Sequence, residues 1–230
     1  MTAATDSLSR QNFESALLKA VETPPIEGLR LIRVLSNPTC PDRVLRNFAR
    51  RTHAGATQFF GLLALLATHA PNEAARSLLL QNLLTEEGVL VVPGKGLVAC
   101  PELRHSAWSA RFAKACGVED PDASLSESVI DPDMLKAASD PDQWLNSIAF
   151  FLLGQEGLFA QASAALAAAL RKHGFKNQDL IFFDNHAIAD EKHGRDALEL
   201  LLENAQTLEQ QHSAIQYAKT GAQRWLENYR

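Results

Sequence analysis

Three polar residues interrupt the apolar stripe of one predicted helix. In "FFDNHAIADEKHGRDALELL", Phe182 to Leu201, the side chains of His186, Asp190 and His193 fall within about 60° of one another on a helical wheel. They share a face with Phe182, Phe183, Ala189, Ala197, Leu200 and Leu201. Asp184, Glu191, Lys192, Arg195 and Glu199 take the opposite face. Burying an unpaired carboxylate costs several kcal/mol, so the groups must satisfy one another or share a cation. A lone buried His is more often a hydrogen-bonded core residue, and a His–Asp pair one turn apart is often a surface pair. Three such groups at i, i+4 and i+7 on an apolar face point instead to metal ligands.

Other predicted helices carry the same anomaly. In "FFLLGQEGLFAQA", Glu156 shares its face with Leu152, Leu153, Phe159 and Ala160. Gly154 and Gly157 flank it, each weakening a helix by about 1 kcal/mol, which suggests a neighbour in close approach, with flexibility as the plainer alternative. In "PELRHSAWSARF", His105 shares a face with Trp108 and Phe112, and Glu102 stands one turn earlier. Glu102-x-x-His105 has the spacing of di-iron bundles, a spacing common by chance. In "LLLQNLLTEEG", Glu86 continues the face of Leu79, Asn82 and Leu83, and Glu87 reads as a solvated helix end. Acids at a helix C-terminus oppose the macrodipole and need a compensating partner.

Four helices thus supply the carboxylates Glu86, Glu156 and Asp190 and the imidazoles His105, His186 and His193. Mixed His and carboxylate sets with open positions suit Fe(II), and bridging carboxylates suit a pair of ions. So many carboxylates would be unusual around zinc, and no thiolate is placed to help. Phe151, Phe159, Phe182, Phe183 and Trp108 are candidate walls of a substrate pocket, although core packing is the commoner role for any one of them. The remaining histidines read differently. His53, His69 and His212 have no companions at ligand spacing, and His173 complements a helix C-terminus.

The elements that position these residues are helical nearly throughout, because apolar residues recur at three- and four-residue spacing. Helices are expected over about Arg10 to Val21, Asp42 to His69 and, capped by Asn72, on to Glu87. Others are expected from Pro101 to Gly117, Gln143 to Lys172, Asn177 to Ala205 and Leu208 to Asn228. "GVLVVPGKGLVAC" is expected to be a loop, its "VLVV" having no obvious partner strand, and Glu119 to Asp142 an acidic linker. The expectation is an all-α domain of seven or eight helices in one bundle over residues 1–230, with residues 1–9 a flexible tail.

Composition narrows the function class. A net charge of −5 over 230 residues gives no basic footprint for nucleic acid. "MTAATDSLSR" has no signal-peptide pattern, and "FFGLLALLA" is too short to span a bilayer. The odd, sparse set Cys40, Cys100 and Cys116 fits a reducing cytoplasm and buried small hydrophobes.

The ordered motifs "QNLLTEEG", "RHSAWSARFAKACGV", "GQEG" and "FFDNHAIADEKHGRDALELL" resemble the haem-oxygenase-like di-iron oxidases over about residues 40 to 205. Relatives are the chlamydial protein associating with death domains and enzymes that make nitrosoureas and terminal alkenes. His-x-x-x-Asp-x-x-His is the most specific part. The resemblance implies a haem-oxygenase-like bundle, two Fe(II) ions (Mn being the other candidate metal), O2 as cosubstrate, a small-molecule substrate and a homodimer. Matched residue by residue, it implies Glu86, His105, Glu156, His186, Asp190 and His193 as metal ligands. One departure is a longer segment between Glu86 and His105, so Glu87 or Glu102 could take the place of Glu86. The wider superfamily includes cofactor-free pyrroloquinoline-quinone synthase and the Cys-dependent thiaminase-II type, which leaves a metal-free pocket enzyme as the alternative. A non-catalytic interaction protein is a further one.

Overall fold

The computed structural model describes residues 7–126 and 129–229. Apolar three- and four-residue spacing forms helices as expected, and their ends follow the capping residues. The elements open with α1 (Arg10–Ala20), α2 (Arg30–Leu35), α3 (Asp42–Thr68) and α4 (Glu73–Glu86). Asn72 caps α4, its side chain accepting the Ala75 N–H at 2.9 Å. After a hairpin come α5 (His105–Ala115), α6 (Pro132–Ala138) and α7 (Trp144–Ser147). A π-helical segment, Ile148–Glu156, continues α7 into α8 (Gly157–Arg171). Last come α9 (Asn177–Asn204) and α10 (Leu208–Glu227), the latter opened by a Thr207–Gln210 capping box. Among the described residues the chain is all-α apart from the hairpin.

Of the expected tail, residues 1–6 lie outside the described residues. Leu8 and Ser9 are held: the Leu8 N–H donates to Gln211 Oε1 at 2.7 Å, and Ser9 caps α1.

Three segments differ from the sequence expectation. The expected loop after Glu86 is an antiparallel hairpin, β1 (Val89–Val92) paired with β2 (Gly96–Ala99), in the register Val89 to Ala99. Its partner strand was present in the sequence, hidden behind a turn: Pro93 and Gly94, at φ +77°, supply the central residues of a type II turn. The expected linker from Glu119 contains α6, where Asp131 accepts the Asp133 N–H and Pro132 takes the first helical position. The helix expected from Pro101 begins as a 3-10 turn, Pro101–Leu103, and becomes α5 only at His105.

The π segment is the largest local departure. Its nine residues, eight of them buried, run against α10 at very short backbone range. A Cβ on Gly221 would overlap the Phe150 carbonyl oxygen, and one on Gly154 would stand 2.6 Å from the Ala218 oxygen. The expected close approach at Gly154 is therefore backbone against backbone. A second one links α8 to α9, where a Cβ on Gly194 would lie 3.2 Å from Gly157 Cα.

Two apolar clusters fill the bundle. One gathers Phe48, Phe112, Leu166 and Phe183; the other gathers Phe13, Leu66, Phe150 and Leu200. α9 passes through both, with Leu180, Phe182 and Phe183 in the first and Ala197, Leu200 and Leu201 in the second. His186, Asp190 and His193 occupy the interval between them.

Gly221→Ala should lower stability by about 1–3 kcal/mol through forced overlap. Gly61→Ala, inside α3 with nothing within 4 Å of the added methyl, should raise it by about 0.5–1 kcal/mol. Denaturant midpoints of the two variants, moving in opposite directions, check the packing at α10.

Candidate metal centre

Glu86 is the last residue of α4, and the hairpin carries the chain from it back to His105. Gly88, at φ +64°, makes the return possible, since a Cβ there would stand 2.5 Å from the Cys100 oxygen and 2.8 Å from the Arg104 nitrogen. The Cys100 N–H donates to the Gly88 oxygen at 2.8 Å and closes the base of the hairpin. The extra length between Glu86 and His105 is thus folded away, and His105 Nδ1 comes to 2.6 Å from Glu86 Oε2. Trp108 stacks on His105 with centroids 4.8 Å apart, and its indole N–H donates to the Glu102 oxygen at 2.8 Å, which fixes the ring.

On the other side, the Gly157–Gly194 contact brings the π segment's end against α9. Glu156 Oε1 lies 2.7 Å from His193 Nδ1, and Asp190 Oδ1 lies 3.3 Å from that same nitrogen. His186 donates its Nδ1–H to the Phe182 oxygen at 2.6 Å, so its tautomer is set and Nε2 is left with a lone pair. The His105 and His186 rings are 4.5 Å apart.

Two donor triads result. Glu86, His105 and His186 form one, Glu86, Glu156 and His193 the other, and in each the donor atoms lie within 4.8 Å of one another. Glu86 belongs to both. All six side chains are buried, Asp190 completely. Both Asp190 oxygens, Glu156 Oε2, His105 Nδ1 and His193 Nδ1 have no aligned hydrogen-bond partner. The two nitrogens sit beside carboxylate oxygens without forming an aligned hydrogen bond, and a cation among them would satisfy both kinds of donor. Unsatisfied buried groups of this kind cost about 1–3 kcal/mol each, more when charged, so the donor set fits a bound metal.

Of the expected alternates, Glu87 is half-buried and pairs with Arg104 Nε at 3.2 Å, and Glu102 is exposed on the 3-10 turn. Neither joins a triad.

The electrostatics sort the groups. Burial would raise the Glu86 carboxyl, but His105, His186 and His193 together pull it below its ordinary range. Burial, aided by the charge on His105, lowers His186 to about 4. Burial, with Glu156 and Glu86 nearby, pushes Asp190 up to about 8. Burial would also lower His193, yet Asp190 and Glu156 outweigh it and raise the imidazole to about 10.

A cavity of about 610 Å³ opens onto this cluster, lined at its deep end by Glu86, Glu156, His186 and Asp190. Of the expected walls, Phe151, Phe159 and Phe182 line it. Trp108 and Phe183 do not: Trp108 backs His105, and Phe183 is fully buried against Phe48 and Phe112. No cysteine lines the cavity, and burial with nearby Asp179 pushes the Cys116 thiol up to about 12.

Two other histidines find partners that sequence spacing could not reveal. His53 is buried, with Nδ1 3.0 Å from Ser109 Oγ and Nε2 2.9 Å from Asp122 Oδ1, both distant in the chain. His173 donates to the Leu35 oxygen at 2.6 Å, capping the end of α2 and not its own helix.

A family model described as "iron-containing redox enzyme" matches residues 46–226. None of the curated proteins matches. Among solved structures, a TenA homolog from Pseudomonas syringae pv. tomato superposes with TM-score 0.69 at 16% identity, over 94% of this chain and 88% of that one. A domain of unknown function with a haem oxygenase-like fold from Shewanella denitrificans gives TM-score 0.66 at 14% identity, over 96% and 92%. At such identities these likenesses establish the fold alone, which is haem oxygenase-like. Among the described residues, no helix is long and apolar enough to cross a membrane.

With His193 and Asp190 protonated at neutral pH and His186 neutral, a metal entering the cluster must displace protons. Mn(II) titration in weakly buffered solution should release up to one proton from each of His193 and Asp190. Apparent affinity should rise with pH by about tenfold per unit for each proton displaced. Uptake that releases no protons between about pH 6 and 8 would contradict this ordering.

Proposed function

Since the chain belongs to the iron-containing redox enzyme family, we propose that it is a non-haem di-iron oxidase or oxygenase acting on a small organic substrate. The observation that carries this reading is the pair of donor triads sharing Glu86. In it, Glu86, His105 and His186 would hold one ion, and Glu86, Glu156 and His193 the other. Asp190, with both oxygens unpartnered beside His193, completes the second set. These residues would hold two Fe(II) ions, which would supply the redox chemistry for activating O2.

The chain's own residues do the rest. His186 is held by its bond to the Phe182 oxygen and presents Nε2 to the site. Trp108 fixes the plane of His105 by stacking. Asn82, buried one turn before Glu86, reaches Glu156 Oε1 at 3.5 Å and limits how far that carboxylate swings. Phe151, Phe159 and Phe182 give the cavity apolar walls beside the buried donors, which strengthens the charge interactions there. Substrate choice belongs to this lining and not to the fold.

The thiaminase-like alternative calls for a thiol in the cavity, and Cys40, Cys100 and Cys116 all lie outside its lining. An interaction protein would have no use for an inward-facing donor cluster.

Loaded anaerobically with Fe(II), the purified protein should bind about two equivalents and change its absorption spectrum on exposure to O2. Glu86→Ala should lose both ions and His105→Ala about one, while Glu102→Gln keeps about two. Elemental analysis of the three variants decides the matter, and an unchanged iron content in Glu86→Ala would sink the assignment.

A further inference from the structure

The cavity is polar at both ends and apolar between them. Its deep end holds Glu86, Glu156, His186 and Asp190, all buried; its mouth holds Asn47, Arg51 and Asn228, all exposed. Phe48, Ala56, Phe59, Phe151, Phe159 and Phe182 line the length between. Near the mouth Tyr229 is buried and stacks on Trp225 at 4.2 Å, extending the apolar surface outward.

Arg51 is the only Lys or Arg among the residues lining this cavity. Among the described residues, no carboxylate lies within ion-pairing distance of it. Its α3 neighbours one turn away, Asn47 and Gly55, are uncharged, and on facing α10 Glu227 is paired with Arg224 at 3.7 Å. Its one side-chain hydrogen bond among the described residues is long, Nη2 donating to Asn228 Oδ1 at 3.5 Å, and its charge also acts on the buried Tyr229. The polar groups beside it are already committed, Thr52 Oγ1 donating to the Phe48 oxygen at 3.0 Å and Asn228 Nδ2 to the Arg224 oxygen at 3.3 Å. A guanidinium fork held by one long hydrogen bond, at the open end of an apolar channel, matches a carboxylate in bidentate geometry. A single cation balances a single negative charge, which favours a monoanion over a phosphate dianion. The volume of about 610 Å³ suits a small molecule of this build.

We infer that the cavity takes an aryl- or alkyl-bodied monocarboxylate, its anionic end held by Arg51 at the mouth and its apolar end directed at the donor cluster. This rests on the reading of the cavity as a substrate chamber and names the class of substrate. With Arg51 holding the carboxylate at the exposed mouth, the apolar body reaches inward along Phe59, Phe151 and Phe159 toward the buried cluster. Anchoring at Arg51 leaves the end remote from the carboxylate as the one presented for oxidation.

The test uses 4-phenylbutyrate and its uncharged counterpart 4-phenylbutyramide, titrated calorimetrically into full-length protein both metal-free and Mn(II)-loaded. Wild type should bind the carboxylate at least about tenfold more tightly than the amide in both forms. Arg51→Gln should abolish that preference, and Arg51→Lys, which keeps the charge but loses the fork, should retain only part of it. Since Arg51 is exposed, neither substitution threatens the fold, and an unchanged melting curve verifies this. Equal binding of the two probes, no saturable binding of the carboxylate at millimolar concentration, or a preference that survives Arg51→Gln overturns the inference. A preference that needs Mn(II) and ignores Arg51 also overturns it, placing the carboxylate at the metal and leaving the di-iron reading intact. A preference that depends on Arg51 in a protein that takes up no iron supports Arg51 while removing the di-iron reading.

Discussion

Glu86 has one carboxylate and stands in both donor triads, with His105 Nδ1 at 2.6 Å. Holding like-charged and unpartnered groups that close together inside an apolar bundle is costly, and the surrounding elements are arranged to hold them there. α4 ends at Glu86, the hairpin returns His105 to it, and Trp108 clamps the returning ring. From the other side, glycine contacts draw the π segment and α9 together, so that Glu156 and His193 meet. The apolar clusters on either side supply the burial that keeps these helices in place; the polar cluster between them is a strain that the apolar ones must overcome.

The helical part of this arrangement was legible because burial imposes a period. The spans of α1, α3, α4, α9 and α10 follow apolar spacing and capping residues to within a residue or two. The stripe of His186, Asp190 and His193 was legible for the same reason: it broke a pattern that had to be apolar. Choosing Glu86 over Glu87 and Glu102 was not, since all three carry the same chemistry. What separates them is which way the end of α4 faces and that the 3-10 turn leaves Glu102 in solvent. His53 was equally out of reach, because Ser109 and Asp122 meet it across the fold and not along a helix. The hairpin was concealed by its brevity, for two four-residue strands leave little alternation to detect.

The π segment, nine residues ending at Glu156, also left no trace in the sequence pattern. A π-helix aligns residues five apart where an α-helix aligns those three or four apart. Phe151 and Glu156 stand at that spacing, and both line the cavity. The local change of pitch therefore lets one stretch of chain contribute an apolar wall and a buried carboxylate to the same space. The glycines against α10 are its counterpart, since a wider helix needs room that side chains on the neighbour would occupy. Unusual backbone geometry, glycine placement and the buried acid form a single solution.

The hairpin between Glu86 and His105 has one more implication. Its base is closed by the Gly88–Cys100 hydrogen bond and the glycine turn, while its outer part, including Val91 and Leu97, is exposed at 77% and 62%. Lengthening a loop whose ends are already fixed costs only about 0.6 kcal/mol per doubling. Chain length at this point is thus nearly uncoupled from the geometry a few residues away. The hairpin acts as a tolerance joint, a place where evolution can add or remove sequence beside the most constrained residues in the molecule without disturbing them.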